Sequence, residues 1–129
     1  MSANINVTLN STLSATDAVT NATIVARALS LLYPATTVFY EPFLQVPITP
    51  LTINLPAANV SVVVVTNKGL TNLSVTFTPN GSTSTTVTLE PGELFVYFQT
   101  GNPVSAGGIT ALSLTSASST QPAEILLAA

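Results

Sequence analysis

From Leu51 to Leu127 the chain is broken by Pro, Gly and Asn into short β-branched runs, the punctuation of an all-β protein. Leu51, Ile53 and Leu55 alternate with Thr52 and Asn54 until Pro56 ends the run. Leu73, Val75 and Phe77 alternate with Ser74, Thr76 and Thr78, a half-buried strand with a hydroxyl outer face, and Pro79-Asn80-Gly81 then turns the chain. Val87 and Leu89 point inward if Thr86 and Thr88 point out. In Glu90-Pro91-Gly92-Glu93 the proline suits the second turn position and the glycine supplies the positive φ that a type II turn needs at the third, so a hairpin corner is expected. Val60–Thr66 and Leu94–Phe98 are apolar on both faces, Ile109–Leu114 alternates weakly, and Glu124–Leu127 reads as a short closing strand.

The first fifty residues follow a different rule. Ser14-Ala15-Thr16-Asp17 has the form of a capping box, and Ala18, Ala22, Val25, Leu29 and Leu32 fall at helical spacing before Tyr33-Pro34. Val19, Thr20, Thr23, Ile24 and Val25 are β-branched and lose side-chain freedom in a helix, so strands are expected here, with a short helix over residues 15–32 as the alternative. Val38–Val46 reads as an aromatic strand whose Pro42, with Pro47 and Pro50 beyond it, places it at a sheet edge or in an extended arm.

Eight to ten short strands in one domain of 129 residues imply two packed antiparallel sheets. The expected fold is a jelly-roll-like sandwich, with an immunoglobulin-like one as the alternative, and residues 1–50 can include an arm or edge strands.

What covers that fold on the outside is a question of charge. Only Asp17, Glu41, Glu90, Glu93, Glu124, Arg27 and Lys68 are charged, 5% of the chain against about a quarter in an ordinary domain, so the exterior is built from Ser, Thr, Asn and backbone amides. There is no histidine and no cysteine. A serine or threonine nucleophile therefore lacks its usual base, thiolate zinc sites and disulfides are excluded, and two cations cannot track a nucleic-acid backbone. Glu90 and Glu93 resemble a glycosidase carboxylate pair only in number, since a Pro-Gly turn separates them. No cofactor or metal is expected.

The opening MSANINVTLN has no basic stretch followed by an apolar one, so no signal peptide is read there. No run approaches the roughly 20 apolar residues of a membrane helix, so no membrane partner is expected. The six Asn-x-Ser/Thr sequons, at Asn6, Asn10, Asn21, Asn59, Asn72 and Asn80, follow from a composition rich in those residues.

Candidate contact residues follow from scarcity and from apolar faces. Arg27 and Lys68 could each pair across a subunit boundary with Glu41 or Glu124, or lie exposed. Tyr40, Phe43, Phe95 and Tyr97, from an aromatic set that includes Phe39 and Phe98, could form a subunit contact or a sugar-stacking platform, with core packing as the plainer reading. Strands apolar on both faces, Val60–Val65 and Leu94–Phe98, imply a covered outer face, and another subunit is the expected cover.

Residues 73–128 carry LSVTFTPNGSTSTTVTLEPGELFVYF followed by GITALSLTSASSTQPAEILLA. This order of a Thr-rich strand, an Asn-Gly corner, a strand ending in a Pro-Gly turn, an aromatic strand and a closing pair resembles the small β-sandwich structural proteins of tailed bacteriophages, in particular head-decoration or cement proteins. The resemblance implies a non-enzymatic, oligomeric virion component, most simply a trimer, bound to the major capsid protein on the capsid surface. A fibre or tail adhesin recognising a host glycan through Tyr40 and Tyr97 is the alternative, and a surface-layer or pilus-like subunit a third.

Overall fold

The structure is a computed structural model that describes residues 5–99 and 107–129; the first four residues of the opening segment lie outside the described residues. Ten strands are formed: β1 (Ile5–Thr16), β2 (Thr23–Ala35), β3 (Val38–Val46), β4 (Leu51–Thr52), β5 (Val62–Asn67), β6 (Leu73–Pro79), β7 (Thr85–Leu89), β8 (Leu94–Phe98), β9 (Ile109–Ser116) and β10 (Gln121–Ala128). β1 and β2 pair only with each other, and the remaining eight form two four-stranded sheets, ordered β3-β10-β5-β8 and β4-β9-β6-β7. All pairings are antiparallel. From β3 to β10 the chain alternates between the sheets except at the β6–β7 hairpin, which is the connectivity of a jelly roll and sets the immunoglobulin-like alternative aside.

Alternation along the strands builds the core. Val63 and Val65, Ile125 and Leu127, Leu73 and Val75, and Leu112 and Leu114 point between the sheets and are buried, joined by Val46, Ile53, Val60, Leu89, Ile109 and Ala123. Phe77 of one sheet meets Phe95 of the other with ring centroids 4.8 Å apart. β10, expected as a short closing strand, is eight residues long and lies in the middle of its sheet, because Ala123, Ile125 and Leu127 feed the core while β3 and β5 flank it. β3 is an edge strand, and Pro42 falls where its register with β10 shifts, between the Leu44–Ala123 and Glu41–Ile125 pairs. That is where a residue without an N–H does least harm to a ladder.

The Glu90–Glu93 turn has the expected geometry, with Gly92 at φ 87° and the Glu93 amide donating to the Glu90 carbonyl at 3.0 Å. Its role differs from the expected hairpin. β7 pairs with β6 and β8 with β5, so the turn carries the chain across the sandwich from one sheet to the other. The true hairpin is at Pro79–Ser82, where Gly81 has φ 75° and the Ser82 amide donates to the Pro79 carbonyl.

Two buried amides close the end of the sandwich near that crossover. Asn67 Nδ2 donates to the carbonyls of Thr71 (2.8 Å) and Leu89 (2.9 Å), and its Oδ1 accepts from the Gly69 amide (3.0 Å). The Gln121 side chain accepts from Thr71 N and Oγ1 and donates to the carbonyls of Thr71 and Asn72. Gly69 lies so close that a Cβ there would stand 2.1 Å from Gln121 Oε1.

Among the described residues the N-terminal segment contains no helix; β1 and β2 form a long hairpin. Asp17, expected in a capping box, instead holds the hairpin turn: its Oδ1 accepts from the amides of Val19 (2.8 Å) and Thr20 (2.9 Å), and Asn21 takes a left-handed φ of 58°. The Thr20 amide, then that of Val19, lowers the Asp17 carboxyl below its ordinary value. The apparent helical spacing of Val25, Leu29 and Leu32 is overruled by β-branched content on both sides of a good turn.

Candidate interaction surface

The two outer faces of the sandwich are unlike. On the second sheet, β6, β7 and β9 present Ser74, Thr76, Thr78, Thr86, Thr88, Ser113 and Thr115, tied by hydroxyl contacts such as Thr76–Thr86 (2.8 Å) and Thr78–Ser84 (2.7 Å). These residues carry no charge.

The first sheet is apolar outside as well as inside. Cross-strand pairing arranges its outer residues in three rows: Val38, Ala128, Val62 and Phe98; then Tyr40, Leu126, Val64 and Val96; then Glu124, Thr66 and Leu94. The first row is covered by the base of the hairpin. Tyr33, Ala35, Val62 and Ala128 form a second buried cluster, with Val7, Val64, Phe98 and Leu126 packed against it. Cover for Val62 thus comes from the chain's own hairpin, which corrects the expectation that a separate subunit lies over this part of β5. Cover extends to Val64 and Leu126 at the centre of the second row and fails toward the two edges of the sheet, where Tyr40 is 53% and Val38 37% exposed on β3, and Leu94 56% and Val96 36% on β8.

The hairpin repeats this pattern. The β1–β2 register puts Val7 with Tyr33, Leu9 with Leu31, Ser11 with Leu29, Leu13 with Arg27 and Ala15 with Val25 on one face. The opposite face carries Asn6 with Pro34, Thr8 with Leu32, Asn10 with Ser30 and Thr12 with Ala28. The face that starts in the buried cluster at Val7 and Tyr33 therefore continues outward as an apolar stripe, with Leu29 42% and Leu13 56% exposed. A two-stranded hairpin is marginal on its own in water, so this stripe is energetically incomplete.

The contact candidates from the sequence divide over these surfaces. Arg27 lies exposed in the apolar stripe of the hairpin and has no charged partner among the described residues. The Tyr40 hydroxyl donates to Glu124 Oε2 at 2.7 Å on the outer face of the first sheet, a bond that raises the phenol above its ordinary value. Phe43, at the register shift of β3, is 70% exposed. Lys68 lies exposed at the opposite end of the sheet from the hairpin base, beside Gly69, Leu70 and Pro122. Phe95 and Tyr97, by contrast, face the interior, packed against the main core, and the Tyr97 hydroxyl accepts from the Gly108 amide at 3.2 Å. They are removed from the contact set because they stand opposite Val65 and Val63, whose side chains point inward.

The strands expected here are present, and their stripe shows in the sequence as Val25, Arg27, Leu29, Leu31 and Tyr33 at every second position, a period that the alternative helical spacing of Val25, Leu29 and Leu32 obscures. Glu90 and Glu93 do not converge on a cavity; Glu93 Oε2 accepts from the Glu90 amide and closes their turn. No group of three or more His, Cys, Asp or Glu side chains able to hold a metal occurs among the described residues. No described helix is long and apolar enough to cross a membrane. Comparison of the chain with family models, with curated proteins and with solved structures finds no match.

Proposed function

We propose that this protein is a non-enzymatic virion component that decorates the outer shell of a phage capsid, binds its major capsid protein and braces neighbouring capsomers, as a homo-oligomer and most simply a trimer. The observation that carries the reading is the apolar surface left uncovered on the first sheet and along the hairpin, in a chain with few charges and a hydroxyl-faced second sheet. Such a surface on a small domain calls for a protein partner. A nearly uncharged exterior lets many copies sit side by side without mutual repulsion. The resemblance of residues 73–128 to head-decoration proteins supplies the shell as the partner. Binding to the assembled shell and not to free capsid subunits would stabilise the shell by mass action.

The glycan-binding adhesin requires Tyr40 and Tyr97 on one exposed surface. Tyr97 faces inward, which leaves Tyr40 alone for that role. Cosedimentation checks the proposal: the purified protein should pellet with intact heads of the phage that encodes it and stay in the supernatant with dissociated capsid protein. Failure to pellet with any head would overturn the reading.

A further inference from the structure

We infer that the apolar stripe of the hairpin is seated on the outer face of the first sheet of a second copy of this chain, with Arg27 of one copy paired to Glu124 of the next. The argument begins with continuity. The base of the hairpin already packs on the first row of this outer face through Tyr33, Ala35 and Val7, so the two surfaces are complementary in chemistry within one molecule. Each is also unfinished. From the Leu9–Leu31 pair, where Leu9 is still half-buried, to the Ala15–Val25 pair the hairpin extends another six residues, about 20 Å of strand, with its stripe exposed beyond Leu9. On the sheet the uncovered apolar surface lies at the edges of the second and third rows, Tyr40 on β3 and Val96 and Leu94 on β8, to either side of the half-buried Leu126 and Val64.

Charge then selects the occupant. Arg27 is the one cation of the hairpin and lies on its apolar face between Leu29 and Val25. Glu124 is the one charge in the three rows of the outer sheet face, at the margin of its apolar part, held by Tyr40. Glu41, the other carboxylate considered for Arg27, lies outside these rows at the β3 edge, half-exposed at the register shift, where its Oε1 accepts from the Phe43 amide. A cation inside an apolar stripe and an anion at the rim of an apolar sheet face satisfy each other, whereas two hairpin stripes packed face to face would bring two Arg27 side chains into one apolar interface. Hairpin on sheet joins unlike surfaces, so the contacts saturate either by two-fold exchange of arms or in a closed ring.

The inference concerns the isolated chain: an oligomer that ignores phage heads would sink the virion reading and leave this interface, and a monomer that binds heads would sink this interface and the homo-oligomer while leaving the shell as partner. The test is sedimentation velocity of the purified chain over a dilution series, with circular dichroism confirming that each variant is folded. The wild type should form a closed oligomer. Arg27→Glu and Glu124→Arg should each raise its dissociation constant at least about thirtyfold, and the double variant should recover most of that loss. Leu29→Asp, at an exposed position of the stripe, should leave the fold intact and abolish association, while Tyr40→Phe should weaken it far less than Glu124→Arg. A wild type that stays monomeric throughout, or an oligomer indifferent to both charge reversals, would overturn the inference.

Discussion

Tyr33→Ala is expected to free the hairpin from the sandwich while the sandwich stays folded. Tyr33 is the largest side chain in the cluster that anchors the hairpin and is 6% exposed. Truncating a buried aromatic residue costs about 3–5 kcal/mol. A two-stranded hairpin without a sheet beneath it has little stability to lose, so the deficit falls on docking of the arm and not on the jelly roll. Hydrogen–deuterium exchange reads this directly. Amides of β1 and β2 should lose protection in the variant, while those of β5 and β10 keep theirs. Uniform loss over all strands would mean that the hairpin and the sandwich form one cooperative unit; unchanged protection in β1 and β2 would mean that Tyr33 does not anchor the arm.

The second large effect is expected at Asn67. Its side chain makes three hydrogen bonds that join the end of β5 to the loop at Gly69–Thr71 and to the last residue of β7, and the residue is fully buried. Its backbone ties the crossover turn as well, the Asn67 amide donating to the Glu93 carbonyl and the Gly92 amide to the Asn67 carbonyl. Asn67→Ala takes the side-chain partner from the Leu89 carbonyl and the Gly69 amide in a buried place, while the Thr71 carbonyl keeps Gln121 Nε2, and at about 1–3 kcal/mol for each unsatisfied group we expect a total loss of about 2–5 kcal/mol. That is a large fraction of the stability of an ordinary domain. Asn67→Asp should be no better, because a carboxylate can still accept from Gly69 but meets the carbonyls of Thr71 and Leu89 with no proton to give. Urea unfolding measures both. A loss below about 1 kcal/mol for Asn67→Ala would show that water replaces the side chain at this end of the sandwich.

These two positions also mark how far the sequence could be read. The sandwich was legible wherever one strand face was apolar and the other hydroxyl, as in Leu73–Phe77, because period-two alternation leaves no other placement for Leu73 and Val75. The Pro-Gly turn was legible in conformation but not in destination, since Gly92 reports a local φ and says nothing of which strands flank it. Asn67 reads as an ordinary turn residue beside Lys68-Gly69; its partners at Leu89 and Glu93 are more than twenty positions away in the chain. In the arm, Val25, Leu29 and Leu32 fit a helical period while Val25, Leu29, Leu31 and Tyr33 fit a strand, and the turn held by Asp17 decides between them.

The surface was legible only in part. An apolar outer face on β5 correctly signals cover, but sequence cannot say whether the cover comes from the same chain or another, and here the hairpin supplies the first row. Phe95 and Tyr97 share their strand with Leu94 and Val96, and only the register with β5 tells which pair faces the core. Tyr40 and Glu124 are joined by β3–β10 pairing across most of the chain, a contact invisible to local pattern.

The central claim is that this chain works by covering its apolar surfaces in a large assembly, and the copy number of the protein in purified phage particles tests it most directly. Quantitative mass spectrometry against the major capsid protein should give copies on the scale of the capsomers. A few copies per particle would contradict shell decoration in favour of a tail or fibre role, and absence from the particles would contradict the virion reading altogether.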